Sequence, residues 1–477
     1  MKKRTKIVAT IGPASDSLDM LVGLINAGVN VFRLNFSHGT YEQHRIVLER
    51  IHEAMKLTGL VVGVLQDISG PKIRIGELKE SFSLKENDTI NFIREHIVGK
   101  KLTDSEYEVS INYPEILAQL AIGDYIYLYD GIIRTQVVSI DEVGVKVVVE
   151  NQGLLSSKKG VNFPNTRLGV DVLTAKDRKD IAWGVKNGVD FMAISFVQTA
   201  DDMINARAIL KSLGGKQNLI AKIEKFDAIE NIDAILEHSD GLMVARGDLG
   251  IEVPYYEVPN IQKMLIRKAN AACKPVITAT QMLLSMTTNE RATRAEISDI
   301  ANAVMDGTDA VMLSEESAVG VHPILAVKTM SNTISETEKL YKYNRYEGFV
   351  KNDSGDTISE SAVRLSCDLD TKGIFAITSS GSSARKLARY KPKKTIYAVT
   401  HDESVRSQMT LSWGVIPLMS VKKESLGEIL EVLMSRGLKN GSVSRENSYI
   451  LTAGDPIGKA GTTNMIRVIS KEDMQLF

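Results

Sequence analysis

The chain has 477 residues, with 58 Lys and Arg set against 59 Asp and Glu. That length is enough for two to four domains and a large core, and the balanced charge points to neither nucleic acid nor an acidic membrane surface. Two cysteines, Cys273 and Cys367, are too few for a disulfide framework, and no run approaches the ~18 apolar residues of a membrane span.

The basic start, Met1 to Arg4, leads into an apolar stretch broken by Thr10, Gly12 and Pro13. This is not a signal sequence, so a soluble cytoplasmic protein is expected. Residues 5–11 read as a strand. Asp16 or Ser17 can cap a helix carrying Leu18, Leu21, Leu24 and Ile25 at helical spacing, and Gly28 stops it. A strand at 31–34 runs into Asn35-Phe36-Ser37-His38-Gly39, a helix from Tyr41 to Leu57 ends at Gly59, and a strand at 61–65 leads to Asp67. One junction recurs: Gly28-Val29-Asn30, Gly188-Val189-Asp190 and Gly307-Thr308-Asp309. It predicts a repeated αβ unit in which Gly ends the helix and a short polar residue turns the chain.

The alternation lapses after Pro71. Residues 89–93, 125–128, 132–140 and 143–149 read as strands rich in β-branched and aromatic residues, which predicts an inserted β-barrel-like domain over 71–164. Helices and strands then alternate again. Thr174-x-x-Asp177 resembles a capping box opening a helix to Asn187, and Thr199 caps another to Leu213. Strands are expected at 190–195, 219–223, 241–244, 276–279 and 310–313. Eight strands, each followed by a helix, predict a closed (β/α)8 barrel made of residues 1–70 and 165–345. Asp353-Ser354-Gly355-Asp356 reads as a linker, and 353–477 as a C-terminal three-layer α/β domain.

A barrel places its chemistry at the C-terminal ends of its strands. Arg33, Asn35, Ser37 and His38 follow the second strand, and Asp67, Lys72 and Arg74 the third. Lys222 and Glu224 follow the fifth, Arg246 and Asp248 the sixth, Thr280 the seventh, and Ser314, Glu315 and Glu316 the eighth. Such a set crowds like charges on one rim unless ligands neutralise them. The pattern fits a phosphorylated carboxylic acid bound through a divalent metal. Glu224 and Asp248 are the candidate Mg²⁺ ligands, Arg33 and Lys222 the candidate phosphoryl partners, and the loop after Ala245 a source of N–H donors for a carboxylate.

These residues lie in motifs that together resemble pyruvate kinase along nearly the whole chain. They include KIVATIGPAS, VFRLNFSHG, DISGPKIR, KKGVNFP, ISFV, AKIEK, GLMVARGDLGIEV, ITATQML, RAEISDIANAV and DGTDAVMLSEESAVGVHP, with TSSGSSARKLARYKP and GTTN in the last domain. The resemblance implies phosphoryl transfer from phosphoenolpyruvate to ADP, giving ATP and pyruvate, and usually a homotetramer. It implies that Lys222 stabilises the phosphoryl in flight, that Arg33 contacts phosphate, and that Ala245, Arg246, Gly247 and Asp248 form the substrate loop. Thr280 would face the enolate, with Ser314 and Glu316 completing a proton relay. His38, Arg74 and Lys159, with Asn35, would serve the nucleotide, and a second Mg²⁺ would arrive with ADP. Asn35, Ser37, Asp67 and Ile68 would line the inner cation pocket.

Two positions depart from the usual pattern. Many relatives carry Glu where this chain has Lys72 and need K⁺; a lysine ammonium can replace that charge, so K⁺ independence is expected. Glu315 stands where Gly is usual. In the last domain, Thr378, Ser379, Ser380, Gly381, Ser382 and Ser383 lie between a strand and a helix, which suits a phosphate. Gly454, Gly458, Gly461, Thr462 and Thr463 could form a facing loop. The resemblance implies an allosteric phosphosugar or nucleotide monophosphate there. Two rival readings fit parts of the pattern. A Mg²⁺-dependent pyruvate-enolate lyase or aldolase needs no nucleotide lid, and a non-catalytic metabolite sensor could lose Lys222 or Thr280.

Overall fold

The computed structural model describes residues 3–477 apart from 165, 168, 170, 347–348, 424 and 458–460. Gly458 of the expected facing loop lies outside the described residues. Eight parallel strands close into a barrel: Lys6–Ile11, Val31–Asn35, Gly63–Asp67, Phe191–Ile194, Asn218–Ile223, Gly241–Ala245, Val276–Ala279 and Ala310–Leu313. The third strand is displaced from 61–65 to 63–67, because Asp67 itself pairs with Asn35 and Ala193 in the sheet. The barrel interior is filled by Val8, Val31, Leu65, Ala193, Ile220, Met243, Ile277 and Met312, and Leu411 of the C-terminal domain joins that cluster. The barrel is therefore a packed core, and only its rim is free for chemistry.

The helices begin and end where local chemistry sets them. Ser17, Thr40, Thr174 and Thr293 accept N–H groups of their first turns, and Gly28, Gly59, Gly188 and Gly307 end four helices in the left-handed region. The recurrent junction has a further role. Asn30 Oδ1 accepts the Ile7 N–H at 3.0 Å, Asp190 Oδ2 the Val64 N–H at 2.8 Å, and Asp309 Oδ2 the Val276 N–H at 3.1 Å. Each polar residue thus satisfies the first backbone donor region of an adjacent strand, besides turning its own chain.

The insertion after the third strand holds a seven-stranded sheet and a two-stranded ribbon, Phe82–Leu84 with Gly153–Leu155, sharing one apolar core. Lys100–Thr103 and Glu106–Ser110 also pair here, though neither was expected. Lys100–Thr103 is exposed along its whole length, so no alternation of burial marks it.

The C-terminal domain is a five-stranded sheet ordered Val415–Ser420, Thr395–Thr400, Gly373–Ile377, Tyr449–Gly454 and Thr463–Ile469, with the last strand antiparallel. Helices pack on both faces. The expected linker at Asp353 to Asp356 is corrected: Asp353 caps the helix Ser354–Asp368 by accepting the Asp356 N–H at 2.9 Å. Ser, Gly and Asp suit a helix start as well as a linker, and packing decides between them. Among the described residues no helix is long and apolar enough to cross a membrane.

Candidate active site

The rim gathers charge around one lysine. Lys222, at the end of the fifth strand, lies 3.1 Å from Asp67 Oδ1 and 2.9 Å from Glu224 Oε1, and donates to Ser195 Oγ at 2.7 Å. Arg33 Nε lies 2.6 Å from the other Asp67 oxygen, and Arg33 Nη1 donates to Thr10 Oγ1 at 2.9 Å. Asp67 is thus the shared counter-ion of both cations. Burial pushes its carboxyl up, but Arg33 and Lys222 more than offset this and hold it below the ordinary value. Burial likewise pulls the Lys222 ammonium down, and Asp67 and Glu224 outweigh it, so the net direction is up. Lys222 is held charged and in place before any substrate binds.

Glu224 is 1% exposed. Its Oε2 accepts the Phe196 N–H at 2.7 Å, and Phe196 takes φ +57° to make that bond. Burial pushes the Glu224 carboxyl up; Lys222 opposes the shift and Asp248 adds to it. Asp248 lies in the first turn of the helix Arg246–Glu252 and lines a narrow cleft between barrel and inserted domain. Among the described residues nothing donates a hydrogen bond to its carboxylate. Two oxygen donors, one costly to keep as a buried anion, fit a hard divalent cation. Among the described residues no third His, Cys, Asp or Glu joins them, which leaves other coordination positions to substrate oxygens and water.

The sixth and seventh strands meet at Thr280. Its Oγ1 accepts the Gly247 N–H at 2.8 Å and donates to Ala279 O at 2.7 Å. Thr280 has φ +67°, a strained state for a β-branched residue. Ala245 is buried at the end of its strand. The Arg246 guanidinium is taken up by protein groups: Ala279 O at 3.1 Å, Thr280 O at 2.7 Å, Asp299 at 2.7 Å and Gln262 at 3.3 Å. It ties the loop after the sixth strand to the end of the seventh. Glu316 is similarly engaged, accepting the Leu283 N–H at 3.0 Å and the Ser314 N–H at 2.7 Å. Glu315 opens the short helix Glu315–Ala318 and is exposed.

Other predicted residues lie further apart. Asn35 Oδ1 accepts the Ser37 N–H at 3.1 Å, while Ser37 and His38 are exposed. Arg74 and Lys159 sit on the inserted domain, Arg74 donating to Lys158 O at 2.9 Å and Lys159 lying 3.9 Å over the Tyr129 ring. Lys72 is exposed and lines the same cleft as Asp248. Among the described residues no hydrogen bond or ion pair joins its ammonium to Asn35, Ser37 or Asp67. Ile68 is buried, and its carbonyl accepts the Ser195 hydroxyl at 2.6 Å.

Ser195, Phe196, Thr10 and the buried pair Lys225–Glu252, at 2.9 Å, lie inside the quoted motifs but, Ser195 apart, have no role of their own legible in the sequence. Ser195 carried a usable sign, a polar residue closing the apolar run of the fourth strand. The others are joined only by packing. In the C-terminal domain, Thr378, Ser379, Ser380, Ser382 and Ser383 line a cavity of about 590 Å³, with Gly454, Gly461, Thr462 and Thr463 opposite. Gly381, at φ +78°, opens the helix Ser382–Arg389.

A closed parallel barrel with paired, largely buried cations and carboxylates at its C-terminal rim and an inserted domain over it defines a barrel enzyme acting on anionic substrates. The chain matches the family model for pyruvate kinase, barrel domain, over residues 2–327, and that for pyruvate kinase, alpha/beta domain, over residues 356–469. It is 42% identical over 476 residues to the pyruvate kinase of Geobacillus stearothermophilus, spanning 98% of this chain and 80% of that protein. It is also 42% identical over 473 residues to that of Staphylococcus aureus (strain MRSA252), with the same coverage. A crystal structure of a pyruvate kinase from Cryptosporidium parvum superposes with a TM-score of 0.90 at 33% identity, covering 98% of this chain and 96% of that chain. The chain belongs to the pyruvate kinase family. Its reaction is the glycolytic transfer of a phosphoryl group from phosphoenolpyruvate to ADP, giving ATP and pyruvate; the lyase and sensor readings find no support.

Proposed function

We propose that Lys222, Arg33 and Thr280 carry out this transfer at the barrel rim, with Glu224 and Asp248 holding Mg²⁺. The observation that carries the reading is the Lys222 ammonium fixed between Asp67 and Glu224, with Arg33 on the same Asp67. Both reacting partners are polyanions, so catalysis is mainly charge neutralisation and positioning. Lys222 and Arg33 bind the phosphoryl group as it leaves the enolate oxygen, and their placement before substrate arrives lowers the cost of reorganisation. The loop at Ala245, Gly247 and Asp248 orients the substrate carboxylate. The Thr280 hydroxyl lies beside Gly247 and is set to pass a proton, through water, to the enolate carbon. Ser314 and Glu316 support that proton path by fixing the eighth strand against the loop after the seventh. Mg²⁺ on Glu224 and Asp248 would neutralise charge on substrate oxygens, and ADP would carry a second ion.

His38, Arg74, Lys159 and Asn35 serve the nucleotide side in this reading, and Asn35, Ser37, Asp67 and Ile68 the inner cation pocket. Lys72, which lines the cleft with Asp248, supplies in this reading the positive charge that replaces K⁺. The C-terminal cavity takes a phosphosugar or nucleotide monophosphate effector in its Thr378 to Ser383 wall. A cytoplasmic homotetramer is the working assembly.

The test is pyruvate formation from phosphoenolpyruvate, ADP and Mg²⁺ in buffer free of Na⁺ and K⁺, followed by K⁺ at fixed ionic strength. ADP-dependent turnover that K⁺ barely changes is expected. Turnover that appears only with K⁺ would overturn the Lys72 reading and leave the reaction intact.

A further inference from the structure

A second cavity, of about 320 Å³, lies where the barrel meets the C-terminal domain. Four cations line it. Lys274 follows the barrel helix Val258–Ala271, and Arg385, Lys386 and Arg389 project from the helix Ser382–Arg389. Their partners do not balance. Lys386 pairs with Asp353 at 2.6 Å and Asp356 at 3.1 Å, and Arg389 pairs with Asp356 at 3.2 Å. The third carboxylate of the wall, Asp240, is paired with Arg207 and accepts the Leu219 N–H. Among the described residues Lys274 donates to the carbonyl oxygens of Leu236 and Glu237 and pairs with no carboxylate. The Arg385 guanidinium makes no hydrogen bond or ion pair among the described residues, and Arg389, 3% exposed, has a buried Nε without a partner.

Arg385 is half-buried and faces the cavity with its donors unused, and a planar fork of donors matches tetrahedral oxyanions. Arg385 Nη1 lies 2.7 Å from where a Cβ on Gly381 would stand, so the bare Gly381 backbone makes room for it. We propose that this cavity is an anion site, for inorganic phosphate or a small phosphate monoester, bridging Lys274 of the barrel and Arg385 of the C-terminal domain. It is a different cavity from the one lined by Thr378 and Ser379, although Ser382 borders both. Occupancy joins the two domains through a ligand at Lys274 and Arg385, the two cations of the wall that pair with no carboxylate among the described residues.

The test is thermal unfolding of the full-length protein titrated with inorganic phosphate and, separately, with glycerol 3-phosphate, in wild type, Arg385→Gln and Ser383→Ala. Wild type should show a saturable rise in Tm. Arg385→Gln should weaken the half-saturating concentration by about tenfold or more, while its ligand-free Tm stays level or rises, since no ion pair is lost. Ser383→Ala should keep the response. Tighter binding of the ester assigns the site to a phosphate monoester, and equal binding to free phosphate. No saturable rise in wild type, or a smaller weakening in Arg385→Gln, would overturn the proposal. Should Arg385→Gln fold poorly, Lys274→Gln reads the same site from the barrel side, with the same two outcomes.

Discussion

The ammonium of Lys391 lies 3.0 Å from Asp309 Oδ1, and the two residues are 1% and 4% exposed. This pair joins the C-terminal domain to the foot of the eighth barrel strand, whose other end carries Ser314. Asp309 also accepts the Val276 N–H at 3.1 Å and the Trp413 N–H at 3.3 Å. Burial pulls the Lys391 ammonium down, and Asp309 opposes the shift. Removing the Lys391 ammonium leaves the Asp309 carboxylate buried without its paired cation. Lys391→Met is therefore expected to destabilise the protein by about 3–5 kcal/mol. Lys391→Met with Asp309→Asn should recover part of that loss. Chemical denaturation of both variants checks this, and equal stability of the single and double variants would refute it.

Lys222→Met should lower kcat by about a hundredfold to a thousandfold, the cost of removing one preorganised electrostatic group from an active site. The substitution also leaves Asp67 and Glu224 without the ammonium between them, while Arg33 stays paired with Asp67. Steady-state kinetics with phosphoenolpyruvate decides it. A loss confined to KM would mean that Lys222 binds the ground state and the transition state equally.

Asp190 gives a pH dependence of stability. Desolvation at the barrel base pushes its carboxyl up to about 7, against the Val64 N–H and the Ser407 hydroxyl. The folded state then holds a proton that the unfolded state releases. Its contribution to stability is full below the ordinary Asp range near pH ~4, and is lost as pH rises to about 7, with a slope near ~1.4 kcal/mol per pH unit. Asp190→Asn should flatten this window in denaturation curves taken from pH ~4 to ~7. An unchanged slope would place the titration elsewhere.

Lys72→Glu should convert the enzyme into one that K⁺ activates, because a carboxylate in the cleft beside Asp248 adds the negative charge that a monovalent cation neutralises. Rates with and without K⁺, at fixed ionic strength, measure it. A variant as active without K⁺ as the wild type would show that this position does not set cation dependence.

The alternation of helix and strand was legible because it is local. Capping residues such as Thr40 and Thr293, end glycines such as Gly28 and Gly307, and apolar runs such as Leu242 to Val244 each fix an element through near neighbours alone. The carboxylates and cations of the rim were legible for the same reason, since an ionisable residue ending a buried strand marks the barrel mouth. Lys100–Thr103 was not, because an exposed edge strand takes its pairing from Glu106–Ser110 and shows no burial pattern of its own.

Residue type and position along the chain thus determined the barrel, the inserted β domain, the C-terminal domain and the set of groups at the rim. Tertiary structure alone decided where those groups point. Arg246 and Glu316 stood in the sequence as substrate and proton-relay residues, yet their charges are engaged by Asp299, by carbonyls and by N–H groups of neighbouring segments. Ser195 stood as the end of a strand, yet it accepts from Lys222 and donates to Ile68. Apart from the Ser314 N–H, these partners lie from 27 to 127 residues away along the chain, and they are selected by the closure of the barrel, which brings eight strand ends to one rim.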